Sequence, residues 1–282
     1  MTYFGLMRVG EKKAEEKQLE KTAVKSLLLF ASSKSPTEIY EDLHEEVPKV
    51  IETKFFELLN EYLEEGKPVQ YIIGYTYFYG YKILVNEDVL IPRWETEELT
   101  EHILIYYDRI FKGSKVKTLD LGTGSGAIAI ALKKEAPEME VMASDISEAA
   151  LKVAEENASI NKADIIFEKG DLFKAVPKGS KFDIIVSNPP YLMTSEYVMP
   201  IVKDNEPHVA LFGGEDGLDF YRSILLDARR YLNEDRYMMA FEHGYDKVED
   251  LNKIIKNYFP EAEIVNLKDS AGRNRMTFII KK

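Results

Sequence analysis

The chain has 282 residues, of which 45% are hydrophobic and 30% charged, enough for a full core in one large domain or two small ones. Its net charge of −12 argues against a protein whose main business is gripping a phosphate backbone, and the absence of cysteine excludes disulfides and thiol chemistry. The four histidines (His44, His102, His208, His243) have no metal spacing, Met1 opens no secretory pattern, and no apolar run nears the roughly 18 residues of a membrane span, so a soluble, metal-free, cytoplasmic protein is expected.

Residues 1–66 read as a small helical bundle, either a packing module or one that docks a partner. Glu11 to Ala31 contains no Gly or Pro, and Ala23, Val24, Leu27, Leu28 and Ala31 recur at helical spacing. Ser35-Pro36-Thr37-Glu38 has the form of a cap with Pro in the first turn, leading a helix over Ile39–Val47. A third helix is predicted from about Pro48 to Glu65, with Phe55, Leu58, Leu59, Tyr62 and Leu63 as its apolar stripe. Acids outnumber bases here, so the bundle is not an obvious nucleic-acid arm. Residues 67–94 form a connector and a predicted hairpin between two domains, with Asn86-Glu87-Asp88 as its turn. A helix then runs to about Phe111, capped by Glu95 or Thr96. Arg93 and Trp94 at its start suit either a ligand contact or a capping staple.

From Lys115 onward strands and helices alternate, which predicts a mostly parallel sheet with helices on both faces. The strands are 116–121, 141–144, 165–168, 182–187, 237–242, 263–267 and 276–280. The helices between them are 127–134, 147–160, one opened by Asp216-Gly-Leu218 and running to about Leu232, and 247–258. The basic stretch Lys268–Arg275 between the last two strands reads as a turn.

Two strand ends carry chemistry. Asp120-Leu-Gly122-Thr123-Gly124-Ser125-Gly126 joins the first strand to its helix; the glycines allow a sharp turn and a close ligand, and the helix N-terminus favours negative charge. The spacing G-x-G-x-G differs from the dinucleotide pattern and is a weak signal alone. Its neighbours strengthen it. Asp145 ends the second strand, 19 residues past Gly126, where a carboxylate can accept both hydroxyls of a ribose, and Asp171-Leu172 after the third strand can frame an adenine. Each aspartate alone is equally a turn residue or cap, but Asp120, Asp145 and Asp171 stand at successive strand ends, where open α/β sheets bind ligands. The cofactor is then NAD or S-adenosylmethionine; no Lys or Arg follows the loop to serve a phosphate.

The apolar strand Phe182–Val186 runs into Ser187-Asn188-Pro189-Pro190-Tyr191. Two prolines end the sheet and remove two backbone donors, leaving the Asn188 side-chain oxygen and backbone carbonyls as acceptors. With the flat face of Tyr191, such a loop suits a planar group bearing NH2, an amide or the exocyclic amine of a base. A rigid turn is the plainer alternative.

Taken together, these residues resemble the release-factor glutamine methyltransferases, the N5-glutamine methyltransferases of bacterial translation termination. The match runs from about Pro68 to Lys282 and includes Pro68–Gly74, Ile91-Pro-Arg93 with Glu95-Thr-Glu97, Asp120–Gly126, Asp145, Gly170–Phe173, Ser187–Tyr191, Glu206-Pro207, Gly213-Gly214, Asp216–Arg222 and Ala271–Arg273. Trp94, where the family usually has Pro, and His243, where Ile is common, depart from it. The Asn-Pro-Pro-Tyr loop alone is shared with adenine-N6 methyltransferases of nucleic acids. The resemblance implies an α/β, Rossmann-like methyltransferase fold over residues 95–282 with a mixed seven-stranded sheet, plus the N-terminal helical domain as a substrate-docking module. It implies S-adenosyl-L-methionine as cofactor, held by Gly122, Thr123, Gly124, Ser125, Gly126, Asp145, Leu172 and Asn188. It implies class I peptide chain release factors as partners, with Asn188, Pro189, Pro190 and Tyr191 holding the glutamine of their Gly-Gly-Gln motif. In that setting the Asn188 oxygen and the Pro189 carbonyl accept the two amide protons, and Tyr191 packs on the amide plane. A monomer without stable nucleic-acid binding is expected. Two alternatives stand beside it: an adenine-N6 methyltransferase acting on DNA or RNA, and a cofactor-binding module that docks through residues 1–66 without turnover.

Overall fold

The computed structural model describes residues 1–282, which form two compact units: Met1–Tyr75 with Val198–Asn205, and Thr76–Tyr197 with Glu206–Lys282. The first unit holds α1 (Tyr3–Glu16), α2 (Thr22–Ser32), α3 (Pro36–Glu41), α4 (Lys49–Leu63) and α5 (Val69–Ile73). Its core joins the predicted stripes of α2 and α4 to Tyr3, Leu6 and Ile39. The continuous helix expected over 11–31 is two helices. Gln18 takes φ +58°, and the Leu19 N–H returns to the Ala14 carbonyl at 2.9 Å, which lets Leu19 pack on the same core. A helix can end this way without Gly or Pro when an apolar residue beyond the stop gains burial by turning back. Ser35 and Glu38 form a reciprocal capping box on α3.

β1 (Tyr75–Phe78), which reaches into the second unit from Thr76 on, and β2 (Tyr81–Leu84) form a two-stranded ribbon. Its turn is Tyr79-Gly80, both at positive φ, and not Asn86–Asp88. The two-residue turn needs left-handed backbone at both positions, which suits Gly80 but is uncommon for a tyrosine, so the sequence pattern hid it. The Tyr79 N–H is held by Glu97, while Asn86 folds an Asx turn onto the Asp88 N–H. α6 (Trp94–Phe111) is preceded by Arg93 with no side-chain cap, so neither Glu95 nor Thr96 caps it. Glu95 and Glu97 instead put negative charge in its first turn.

The main sheet is built from β3 (Val116–Leu121), α7 (Ala127–Glu135), β4 (Met139–Asp145), α8 (Glu148–Asn161), β5 (Ile165–Lys169) and β6 (Ile184–Ser187). After the short α9 (Pro200–Lys203), whose Ile201 packs in the first unit, come α10 (Asp219–Ala228), β7 (Tyr237–Glu242), α11 (Val248–Tyr258), β8 (Glu263–Lys268) and β9 (Asn274–Lys281). The sheet has seven strands in the order β5-β4-β3-β6-β7-β9-β8, with β9 antiparallel to both its neighbours and the other pairs parallel. β6 and β7 are buried along their whole length, as strands covered on both faces must be. Phe182, expected in β6, forms an isolated bridge with Leu232, because α10 stops at Ala228 and the chain returns to pair with the strand's entry. The strand order reverses between β3 and β6. The loops after these two strands therefore flank the crevice where doubly wound sheets bind ligands.

Candidate active site

The glycine loop is held by main-chain groups. The Gly122 and Thr123 N–H groups donate to the Ser144 carbonyl at 2.8 and 2.9 Å, and the Gly124 N–H donates to Asp145 Oδ2 at 2.9 Å. Asp145 Oδ1 accepts from the Ser147 N–H at 2.9 Å. Each Asp145 oxygen keeps a free lone pair, and the residue lines the cavity. Gly122 and Gly124 lie at φ +72° and +55°, and nothing stands within 4 Å of where a Cβ would be, so this wall is bare backbone. Leu172 lies at φ +49°, rarely populated for a branched side chain, and also lines the cavity. Such strain persists where the surroundings impose it, commonly at ligand clamps.

Asp120, grouped with Asp145 and Asp171 by its place at a strand end, is placed differently. It is fully buried in β3 and does not line the cavity. Its Oδ2 accepts from the Thr123 hydroxyl at 2.7 Å, while Oδ1 has no hydrogen-bond partner. Burial pushes its carboxyl up to about 7, with the Thr123 hydroxyl opposing and the Asp145 charge adding to the rise.

The opposite wall is Ser187-Asn188-Pro189-Pro190. Asn188 Nδ2 donates to Thr96 Oγ1 at 3.1 Å, and Oδ1 is the acceptor left over. Close backbone contact fixes the loop from behind: a Cβ on Gly213 would meet the Pro190 carbonyl oxygen at 2.3 Å, and one on Gly217 would meet that of Tyr191 at 2.2 Å. The Tyr191 ring is not part of the cavity wall. It is partly buried against the core, and its hydroxyl donates to Glu242 Oε1 at 3.3 Å. Burial, reinforced by the Glu242 charge, raises the Tyr191 hydroxyl well above its ordinary value, so it stays a neutral donor.

Several residues matter here in ways the sequence did not suggest. Thr96, in the first turn of α6, and Glu242, at the end of β7, are both buried and joined by a 2.7 Å hydrogen bond. Burial raises the Glu242 carboxyl, against the Thr96 hydroxyl and the Arg275 charge. Asn157 on α8 accepts from the Leu84 N–H and donates to the Leu84 and Ser125 carbonyls, tying β2 to the glycine loop. Glu206 is buried and accepts from the Ile91 N–H and from Arg93. Arg93 is thus spent on an ion pair, and Trp94 is 66% exposed, so the ligand contact considered for the two is not made by the cavity. A signal existed for Glu242 and Asn157: an acid closing an apolar strand, and an amide on the apolar face of a helix.

The cavity between the walls has a volume of about 180 Å³. It is lined by apolar groups that include Leu90, Ile128, Ile146 and Leu172, by the carboxylates of Asp88, Asp145 and Asp171, and by no Lys or Arg. That donor set disfavours a pyrophosphate and favours a cation, which separates the two cofactors that the sequence left open. A sulfonium compound with a ribose and an adenine fits it.

Comparison with known proteins agrees with this chemistry. Residues 104–205 match the methyltransferase small domain and residues 6–74 the PrmC N-terminal domain. The chain is 39% identical to the release factor glutamine methyltransferase of Bacillus cereus, over 94% of this chain and 94% of that one. The chain belongs to the release factor glutamine methyltransferase family. The relative of that name from Bacillus subtilis is also 39% identical, over 97% of this chain and 96% of its own length. A methyltransferase structure from Pyrococcus furiosus shares the fold at 22% identity and a TM-score of 0.53, over 71% of this chain and 88% of that one. As a member of the family, the chain is an enzyme that uses S-adenosylmethionine. No helix is long and apolar enough to cross a membrane.

Proposed function

We propose that this chain methylates the side-chain nitrogen of the glutamine in the Gly-Gly-Gln motif of class I peptide chain release factors, working in the cytoplasm as a monomer without stable binding to nucleic acid. The observation that carries the reading is a cavity lined by Asp88, Asp145 and Asp171 and by no Lys or Arg, beside a loop whose two prolines lack N–H groups and whose Asn188 Nδ2 is already engaged by Thr96. The net charge of −12 also speaks for a protein substrate over a phosphate backbone.

When bound, the cofactor would supply an electrophilic sulfonium methyl for the amide nitrogen, with the thioether as leaving group and the surplus nitrogen proton going to water. The chain's own residues bind and align. The backbone of Gly122, Thr123, Gly124, Ser125 and Gly126 forms one side of the cofactor site, Asp145 takes the ribose hydroxyls on its free lone pairs, and Leu172 packs against the adenine. Asn188 Oδ1 and the Pro189 carbonyl accept the two amide protons, which aims the nitrogen and stabilises the positive charge that builds on it. Pro190 stiffens the loop, and Tyr191 anchors it through Glu242. Residues 1–66 dock the release factor, for which Phe4, Tyr40 and Val50 offer exposed apolar surface.

The test is transfer of labelled methyl from S-adenosylmethionine to a purified class I release factor, with a Gln→Ala version of its Gly-Gly-Gln motif as control. Label on the unaltered factor alone is expected. Label on neither, with the cofactor still bound, would overturn the substrate assignment, and label on DNA or RNA would move it to an adenine amine.

A further inference from the structure

The Asn188 side chain can accept from a substrate amide only if its oxygen, and not its NH2 group, is turned to the cavity. The two orientations have nearly the same shape, so packing alone does not choose between them. Hydrogen-bond polarity does. Glu242 Oε2 takes a hydrogen bond from Thr96 Oγ1 at 2.7 Å, and the ionised carboxylate, which the two hydroxyl donors and the Arg275 charge favour against its burial, only accepts. The single Thr96 hydrogen is thereby committed to Glu242. What Thr96 has left for Asn188 is a lone pair, which calls for a donor, and Asn188 Nδ2 meets it at 3.1 Å. The second Glu242 oxygen is satisfied by the Tyr191 hydroxyl. Thr96 and Glu242 are 5% and 1% exposed, so water does not compete for these bonds. Glu242 does not line the cavity.

We propose that Glu242, acting through Thr96, is a positioning residue that turns the Asn188 oxygen toward the substrate, and so makes the site select a primary amide with two N–H donors. This rests on the amide-methylation reading above and adds the residues that set the polarity of its acceptor.

The test is a set of substitutions assayed for kcat and KM on a class I release factor, with cofactor affinity measured separately. Thr96→Val keeps the shape and removes the relay; kcat should fall about tenfold or more with cofactor affinity changed less than about threefold, while Thr96→Ser should restore kcat to within about threefold of wild type. Asn188→Asp sets two carboxylates on one hydroxyl and should cost about a hundredfold or more in kcat. Adding Glu242→Gln reverses the relay: the new amide donates to Thr96, and the Thr96 hydroxyl donates to Asp at 188. The double variant should therefore recover about tenfold or more over Asn188→Asp alone, a coupling of the sign that a merely structural Glu242 would not produce.

A Thr96→Val enzyme within about threefold of wild-type kcat, or a folded, cofactor-binding double variant no better than Asn188→Asp, would overturn the proposal. Failure of the wild-type enzyme to label the release factor would instead overturn the functional reading, and this inference with it.

Discussion

The glycine loop after β3 and the Asn-Pro-Pro-Tyr loop after β6 face the same cavity but are held by different means. The first is fixed by its own backbone, whose N–H groups reach Ser144 and Asp145 at the end of the neighbouring strand. The second carries prolines where such donors would be, and besides the backbone packed behind it at Gly213 and Gly217 it is held by side chains that arrive from α6 and β7. The difference follows from the task of each loop. In the proposed roles, a cofactor wall can be bare backbone, whereas a loop that must present acceptors to an amide gives up its own N–H groups and needs outside support.

The two loops differ most at Asn188. Asn188→Ala should cost on the order of 3 kcal/mol of barrier, roughly a hundredfold in kcat, while the cofactor stays bound. A kcat within about threefold of wild type would leave the acceptor loop without its role.

Next in size is a stability effect under the glycine loop. The Asp120 carboxyl is pushed up to about 7 when folded, so between pH 4 and pH 7 the unfolded chain ionises this group while the folded one does not. Its contribution is therefore fully present in acid and is lost as pH rises. Urea unfolding at pH 5 and pH 8 should show wild type losing on the order of 3 kcal/mol more than Asp120→Asn across that window. Equal losses would mean the carboxyl is not held neutral.

Asp145→Ala removes the acceptor for two backbone N–H groups and, in the proposed site, for the ribose hydroxyls. Calorimetry should find cofactor binding weaker by about 2 kcal/mol, roughly thirtyfold, with kcat at saturating cofactor little changed. The smallest effect belongs to Tyr191→Phe, which removes one long hydrogen bond to Glu242 and should lower kcat about fivefold, near 1 kcal/mol. If instead Asp145→Ala lowered kcat and Tyr191→Phe weakened the cofactor, the division of labour between the loops would be reversed.

What could be seen from sequence follows the same division. The sheet, its crossover helices and the glycine loop were legible because strand period, turn residues and motif spacing are local. Asp145 was legible as the residue ending β4. The supports of the second loop were not, since Thr96 and Glu242 lie 146 positions apart and meet only through the fold. Thr96 looked like a helix cap because a threonine before an acidic run commonly is one. Asp120 looked like a ligand residue for its place at a strand end, but it points into the core. Tyr79 hid a hairpin turn because few tyrosines take a left-handed backbone.

In the proposed site the loop after β6 turns acceptors to the substrate, its Asn188 donor being engaged by Thr96, and selects a group with two N–H donors. The direct test replaces the glutamine of the release factor's Gly-Gly-Gln motif with glutamate, which has nearly the same shape and no donors. Methyl transfer to the glutamate form should fall by about 10⁴ or more, as expected of a site whose polar groups would be left facing their own kind. Transfer to glutamate within about tenfold of the glutamine rate would contradict it.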